Sequence, residues 1–440
     1  SGPSPRLERG GIGVLSEAPA PASGLAARLK LGAVDIDAWR AVVAAWPGAE
    51  GSDALALLDN VELHADRLLV GQRRLSKVAL NLNRQTDADA ATWRARIEAD
   101  QVDGRIELRL PAGGGGGKVT ARLARLSVPP SETAGVQQLL EAAPASVPAL
   151  DIVVEQLEWR GRALGRVEVE AINRASPTRS GAREWQLARL NMTVPEAALR
   201  ASGVWAQGSA GPGSTGRRMV LDFKLDLADS GAFAERFGAG QALRGGKGEL
   251  QGRVSWAGSP LALDFPSLNG QLTLALGEGH FPNADPGAAR LLGVLNLQAL
   301  PRRLLLDFRD LTQEGFAFDA VTGDFNVVSG VVSTSNLQVR GLQAAVLTEG
   351  RFDLLHETQG LRVLVVPEIS AGTASLAYAA INQVIGLGAF VTQWLLQRPL
   401  ALAGTREYRV SGGWAEPKIE RVQRGAAEAS AAASGPASGQ

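Results

Sequence analysis

The sequence predicts a mainly β protein made of antiparallel strands, because its side chains alternate and its turn dipeptides recur. In residues 218–229, RMVLDFKLDLAD, the odd-numbered positions from Met219 to Leu227 are apolar, and Asp222, Lys224 and Asp226 stand between them. A strand with this period of two has one apolar and one polar face. Even alternation of this kind is typical of an antiparallel sheet that hides one face from water and wets the other.

The same alternation recurs downstream, at Leu250, Val254 and Trp256; Leu261, Leu263 and Phe265; Leu272, Leu274 and Leu276; Leu304, Leu306 and Phe308; Phe316 and Phe318; Phe325 and Val327; Val346; Phe352 and Leu354; and Leu361, Val363 and Val365. Three dipeptides predict hairpin turns: Asp103-Gly104, Asn269-Gly270 and Ser329-Gly330.

Helical patterns are few and short. They fall at 36–43, 132–143 and 285–300 and in the opening stretch of the chain. The segment 285–300 is expected to be a short amphipathic helix that either crosses the sheet or packs against it. A weak repeat relates 67–84 to 156–174, since Leu75 and Val78 match Leu164 and Val167. Repeats of several strands are typical of a linear array of similar units.

Residues 369–397 contain no charged side chain, although a fifth of the whole chain is charged. The stretch predicts a helical segment, 371–399, with Pro399 ending it. It is a poor membrane span because it contains Asn382, Gln383 and Gln393. Two compatible alternatives remain: a helical plug that packs as core, or a gate that contacts a membrane. Its apolar face would present Leu376, Ile381, Val384, Ile385, Leu387, Phe390, Val391, Trp394 and Leu395.

Composition excludes several classes of function. The 45 basic and 45 acidic residues balance, so no net field attracts nucleic acid. The chain has no cysteine, and its three histidines, His64, His280 and His356, lack the spacing of a zinc site. GPGSTG, at 211–216, precedes a predicted strand and therefore does not fit a dinucleotide fingerprint. We expect no enzyme activity, no metal and no cofactor.

Three long segments, 289–325, 349–396 and 408–420, resemble the C-terminal region of a member of the AsmA-like group of bacterial envelope proteins, to which TamB is related. The resemblance implies an inner-membrane anchor upstream and a long curved sheet that crosses the periplasm of a Gram-negative bacterium. It also implies an open hydrophobic groove that carries phospholipid toward the outer membrane. We therefore expect this chain, which begins SGPSPRLERG without a Met, to be the distal part of a longer protein.

Alternation alone leaves a two-sheet sandwich possible, and the resemblance favours the groove. Residues 1–370 are expected to form groove repeats, 400–424 the final strands and 425–440 a disordered tail. The residues predicted to line the groove are Leu221, Phe223, Leu250, Val254, Leu272, Leu274, Phe316, Phe318, Phe325, Val346, Phe352, Val363 and Val365.

The resemblance predicts a bridge-type carrier whose partners are phospholipids and the inner leaflet of the outer membrane. We expect a monomer without nucleic-acid partners. The alternative is a noncatalytic scaffold that assists outer-membrane assembly through protein contacts. Such a scaffold would bind partners through sheet edges and would carry no lipid.

Overall fold

The computed structural model describes residues 9–22, 24–38, 58–71, 73–112, 116–130, 147–176, 183–207, 216–238, 243–282, 316–341, 344–367 and 406–422. Among these residues, twenty strands belong to one sheet and three to a second, so the mainly β fold class is confirmed. The chain divides into two compact units. Unit 1 comprises residues 1–194, 198–221 and 257–263, and unit 2 comprises 195–197, 222–256 and 264–440.

The described part of unit 1 contains eleven strands: β1 (Arg9–Val14), β2 (Gly24–Asp35), β3 (Asn60–Val70), β4 (Arg73–Thr86), β5 (Ala90–Glu98), β6 (Val102–Pro111), β7 (Lys118–Val128), β8 (Ala149–Trp159), β9 (Arg162–Ala175), β10 (Arg183–Val194) and β11 (Ala197–Gln207). The first residue of β11 belongs to unit 2, and the division passes through the next strand, β12 (Arg217–Leu227).

The prediction of a wholly antiparallel sheet is wrong in unit 1. Strand β2 is parallel to both β1 and β3, and β7 is parallel to β8. Parallel neighbours usually need a long crossover. Residues 36–59 separate β2 from β3 and 129–148 separate β7 from β8, whereas the shorter segment 15–23 separates β1 from β2. The predicted helices 36–43 and 132–143 fall in these crossovers; only 36–38 are described, and they are helical. The predicted opening helix is wrong over 9–14, which form β1.

The weak repeat corresponds to a repeated hairpin. Strands β3 and β8 have 11 residues each, and β4 and β9 have 14 each. In both hairpins the ladder is interrupted just before the matched valine, at Lys77 and at Arg166. Val78 then faces Ala65, and Val167 faces Val154.

Unit 2 continues with β13 (Arg244–Gly245), β14 (Gly248–Ala257), β15 (Asn269–Leu276), β16 (Gly279–Phe281), β17 (Phe316–Phe318), β18 (Ala320–Val328), β19 (Val331–Arg340), β20 (Ala344–Asp353), β21 (Thr358–Pro367), β22 (Arg406–Gly413) and β23 (Lys418–Arg421). Strands β14, β15 and β18 to β23 pair antiparallel in that order. Strands β13, β16 and β17 form the second sheet.

One of the three predicted turns is confirmed. Ser329 and Gly330 have positive φ angles of 50° and 78° and join β18 to β19, as a two-residue hairpin requires. The other two dipeptides lie within strands. Asp103 pairs with Glu98, so the β5–β6 turn comes before Asp103-Gly104. Asn269-Gly270 begins β15 after a longer connection, 258–268.

Helix α1 (Ser230–Arg236) was not predicted. The Asp229 side chain caps it by accepting a hydrogen bond from the Ala232 N–H at 2.9 Å. At its other end, Arg236 donates to both carboxylate oxygens of Glu196, which is only 8% exposed. This hydrogen bond lowers the pKa of Glu196 below its ordinary value.

The Glu196–Arg236 pair makes stability depend on pH. A carboxyl whose pKa is lowered by folding stabilises the protein above its unfolded pKa, and this contribution disappears as pH falls through the folded pKa. We expect Glu196→Gln to lower the free energy of unfolding by about 2 kcal/mol at pH 7. The difference from wild type should shrink at acid pH. Urea unfolding at pH 7 and at acid pH measures this difference in the free energy of unfolding. An equal difference at both pH values would contradict a stabilising role for the Glu196 carboxylate.

Candidate functional site

Nine of the thirteen predicted lining residues share one face of the unit 2 sheet. Directly paired residues project to the same side of an antiparallel sheet. Leu250 pairs with Leu274, Leu272 with Phe325, and Val346 with Val365. Strand β19 connects the two ends of this set, because Val339 pairs with Val321 and Val346, and Val332 pairs with Val327 and Phe352. We call this surface the apolar face; its predicted members are Leu250, Val254, Leu272, Leu274, Phe325, Val346, Phe352, Val363 and Val365.

The apolar face is not equally accessible along its length. Leu250, Leu272, Leu274 and Phe325, on β14, β15 and β18, are half-buried. Farther along the sheet, Val346, Val363 and Tyr408 are buried, whereas Phe352 and Val365 are half-buried. The half-buried members of the apolar face thus form one group on β14, β15 and β18, and Phe352 and Val365 add two more positions on β20 and β21.

Leu221 and Phe223 lie on β12 and alternate with Asp222 and Lys224. These two charged side chains therefore project to the opposite face of the strand. Asp222 Oδ1 is 2.6 Å from Arg253 Nε. Lys224 Nζ is 2.5 Å from Glu249 Oε2, and this hydrogen bond raises the pKa of Lys224. The charges are thus paired on the wetted face, away from Phe223 and Leu250.

Phe316 and Phe318 are placed differently from the other candidates. They form β17 of the small second sheet, where they pair with Phe281 and Gly279. Both are buried, and the Phe318 ring lies 4.7 Å from that of Phe281. These two residues share the predicted alternation but do not belong to the rows of the apolar face.

Glycines interrupt the apolar face where β14 meets β15. A Cβ at Gly252 would lie 2.2 Å from the carbonyl oxygen of Gln271, and one at Gly270 would lie 2.3 Å from that of Arg253. Real Cβ atoms do not come so close. The two backbones therefore approach each other on this face to a distance that only glycine permits.

Unit 1 has an apolar face that the predicted lining set missed. One line of directly paired residues runs across the strands from β2 to β10. Each strand contributes an apolar side chain to it, except β6, which contributes Gly104. The apolar residues are Leu29, Leu63, Leu80, Ile97, Leu123, Val154, Val167 and Met192. The alternation of Val61, Leu63 and Ala65 in β3 could have revealed this row.

Unit 1 also contains two buried tryptophans that were not among the predicted lining residues. The Trp185 and Trp205 rings meet edge to face, with centroids 6.4 Å apart. The Trp185 indole N–H donates to the Pro148 carbonyl at 3.2 Å, and that of Trp205 donates to Gly258 at 2.8 Å. Each ring thus fills apolar space while its single donor is satisfied.

Thr348 places a hydroxyl on the apolar face, opposite Val363. The residue is 1% exposed, and its Oγ1 has no hydrogen-bond partner among the described residues. Burying an unsatisfied hydroxyl costs about 1–3 kcal/mol. We expect Thr348→Val to raise the melting temperature by a few degrees, as measured by circular dichroism. A lower melting temperature would mean that the hydroxyl has a partner.

The predicted helical residues Leu376, Ile381, Val384, Ile385, Leu387, Phe390, Val391, Trp394 and Leu395 lie outside the described residues, as does 285–300. Within the described ranges, no helix combines the length and apolarity needed to cross a membrane. The same ranges hold no cluster of three or more His, Cys, Asp or Glu that could bind a metal. Strands β22 and β23 fall within the predicted final strands, 400–424.

Comparison with known proteins extends these observations. The family model described as YhdP protein matches residues 1–419. A relative from Escherichia coli (strain K12), named "Intermembrane phospholipid transporter YhdP", is 31% identical over 227 residues. That match covers 51% of this chain and 18% of the relative. No solved structure matches. The envelope-protein resemblance seen in the sequence is confirmed, and the chain belongs to the YhdP protein family.

Proposed function

We propose that this chain is a noncatalytic segment of a phospholipid carrier that works between the two membranes of the bacterial envelope. The observation that carries the proposal is the accessible apolar surface on β14, β15 and β18, where Leu250, Leu272, Leu274 and Phe325 remain half-buried. The name of the Escherichia coli relative supports the choice of phospholipid as cargo.

Acyl chains would cover this surface. Apolar area left in water costs about 25 cal/mol per Å², and fatty tails remove that cost without a second protein layer. Polar head groups would stay in water, because a charged or zwitterionic group has no partner among leucine and phenylalanine side chains. The apolar face thus separates the two ends of a phospholipid.

A lipid would move across the strands, from each apolar residue to the one paired with it on the neighbouring strand. Neighbouring strands lie about 4.8 Å apart. An acyl chain that moves by this distance exchanges its contact with one apolar side chain for a contact with the next. A tail that leaves Leu274 for Leu250 meets a similar surface, so no large barrier separates successive positions. An open groove, an upstream inner-membrane anchor and delivery to the outer membrane complete the proposed pathway.

Site-specific photocrosslinking tests the proposal. A photoreactive amino acid at Leu272 or Phe325 should become attached to phospholipid, detected by mass spectrometry of the purified protein. The matched positions Thr273 and Asn326 are adjacent in sequence and project to the opposite face, so they should give little product. Equal labelling of both faces, or protein free of phospholipid, would refute the carrier proposal.

A further inference from the structure

Three connections between strands of the large sheet expose apolar side chains that belong to unit 2. Phe265 is 43% exposed in a 3₁₀ turn, Phe265–Ser267, between β14 and β15. Val328 is 54% exposed at the β18–β19 turn, and Leu355 is 54% exposed between β20 and β21. We call Phe265, Val328 and Leu355 the tip cluster.

Backbone hydrogen bonds hold the three connections side by side. The Gly330 N–H donates to the Leu268 carbonyl at 2.9 Å, and the Leu354 N–H donates to the Gly330 carbonyl at 3.1 Å. Antiparallel pairing places all three connections at the same ends of their strands. Since strands are about 4.8 Å apart, successive hairpin tips are separated by about 10 Å.

The tips carry no positive charge from Lys or Arg, because 258–268, 329–330 and 354–357 contain neither residue. Glu357 adds an exposed carboxylate, and the side chains of Asp264 and of the adjoining Asp353 are engaged locally. Asp264 accepts from the Ser267 N–H at 3.1 Å, and Asp353 accepts from the Leu355 and His356 N–H groups at 3.0 Å each. The cluster therefore presents apolar side chains without an electrostatic attraction for acidic partners.

The size of the cluster favours a lipid surface over a protein partner. A stable protein interface buries about 800 Å² on each side, and three half-exposed side chains offer much less than that. Partitioning into a bilayer interface requires no minimum contact area, since its strength increases with the apolar area buried. Separate tips can each enter the lipid, and phenylalanine and leucine are typical of such contacts.

We propose that the tip cluster inserts into the head-group region of an electrically neutral bilayer and so rests this edge of the unit 2 sheet on a membrane. This contact uses residues other than those of the carrier surface. It is a docking site and does not itself hold cargo.

Vesicle flotation tests the docking site. The intact chain should float with phosphatidylcholine vesicles and, to the same extent, with vesicles that also contain phosphatidylglycerol. The triple variant Phe265→Ser, Val328→Ser and Leu355→Ser should reduce the bound fraction at least about fivefold. The control variant Leu110→Ser, Ile172→Ser and Phe237→Ser changes side chains of similar exposure, 39%, 44% and 38%. It should float like wild type.

Three results would overturn the proposal: no flotation of the wild type, flotation only with the anionic vesicles, or equal flotation of the triple variant and wild type. Circular dichroism verifies that both variants are folded. The outcome is separable from that of the carrier proposal. The tip variant should keep its co-purifying phospholipid, whereas a carrier-surface variant such as Phe325→Asp should still float.

Discussion

Phe325→Asp is expected to remove most co-purifying phospholipid, by about tenfold or more, while the protein stays folded. Phe325 lies on the apolar face opposite Leu272 and is half-buried. A carboxylate there would have to enter the layer of acyl chains, and an unpaired charge in apolar surroundings is strongly unfavourable. Without lipid the carboxylate can reach water, so the fold should tolerate it. Lipid extraction followed by mass spectrometry measures the loss.

The neighbouring residue provides the control for charge. Asn326→Asp adds the same charge one position later, on the exposed opposite face. It should retain the wild-type amount of phospholipid, and Phe325→Leu should also do so because it keeps the side chain apolar. If Phe325→Asp retains its lipid, or if Asn326→Asp loses as much, the apolar face is not the carrier surface.

Gly252→Ala is expected to cause a large loss of stability, about 3 kcal/mol. The new methyl group would stand 2.2 Å from the Gln271 carbonyl oxygen and 3.0 Å from the Leu272 Cα, both on β15. Neither backbone atom can move without separating β14 from β15, so the register that aligns Leu250 with Leu274 would be disturbed. Urea unfolding monitored by circular dichroism measures the change.

A second strand glycine separates this steric effect from a general effect of alanine. At Gly360, in β21, the position that a methyl group would occupy has no described atom within 4 Å. Gly360→Ala should therefore change stability by no more than about 0.5 kcal/mol. Equal losses in the two variants would show that close approach of β14 and β15 is not what requires Gly252.

The sequence predicted those features that follow from local alternation. Leu272, Leu274 and Phe325 were assigned to one face because the period of two fixes side-chain direction along each strand, and the register then aligns the strands. The repeat at Val78 and Val167 was visible for the same reason. The dipeptide Ser329-Gly330 was identified because a type I′ turn requires two positive φ angles.

Features that depend on distant neighbours were not predictable. Parallel pairing of β7 with β8 leaves no local mark, since strand direction depends on where a long crossover returns the chain. Gly104 follows Asp103, as in a typical turn dipeptide, but the two residues lie within β6, where the register with β7 shifts between them. Phe316 and Phe318 alternate like the others, but only tertiary structure assigns them to a second sheet.

The irregular register of β19 has a consequence for how this chain tolerates insertions and deletions. Val332 and Val339 have opposite parity in sequence, yet they pair with Phe352 and Val346 on the same face, because the register shifts between Thr334 and Leu337. That shift absorbs one residue. Removing a single residue from 335–336 would either abolish the irregularity or turn half of β19 over, bringing polar side chains into the apolar rows. Length changes between homologues are accordingly expected in the connections, or within strands in steps of two.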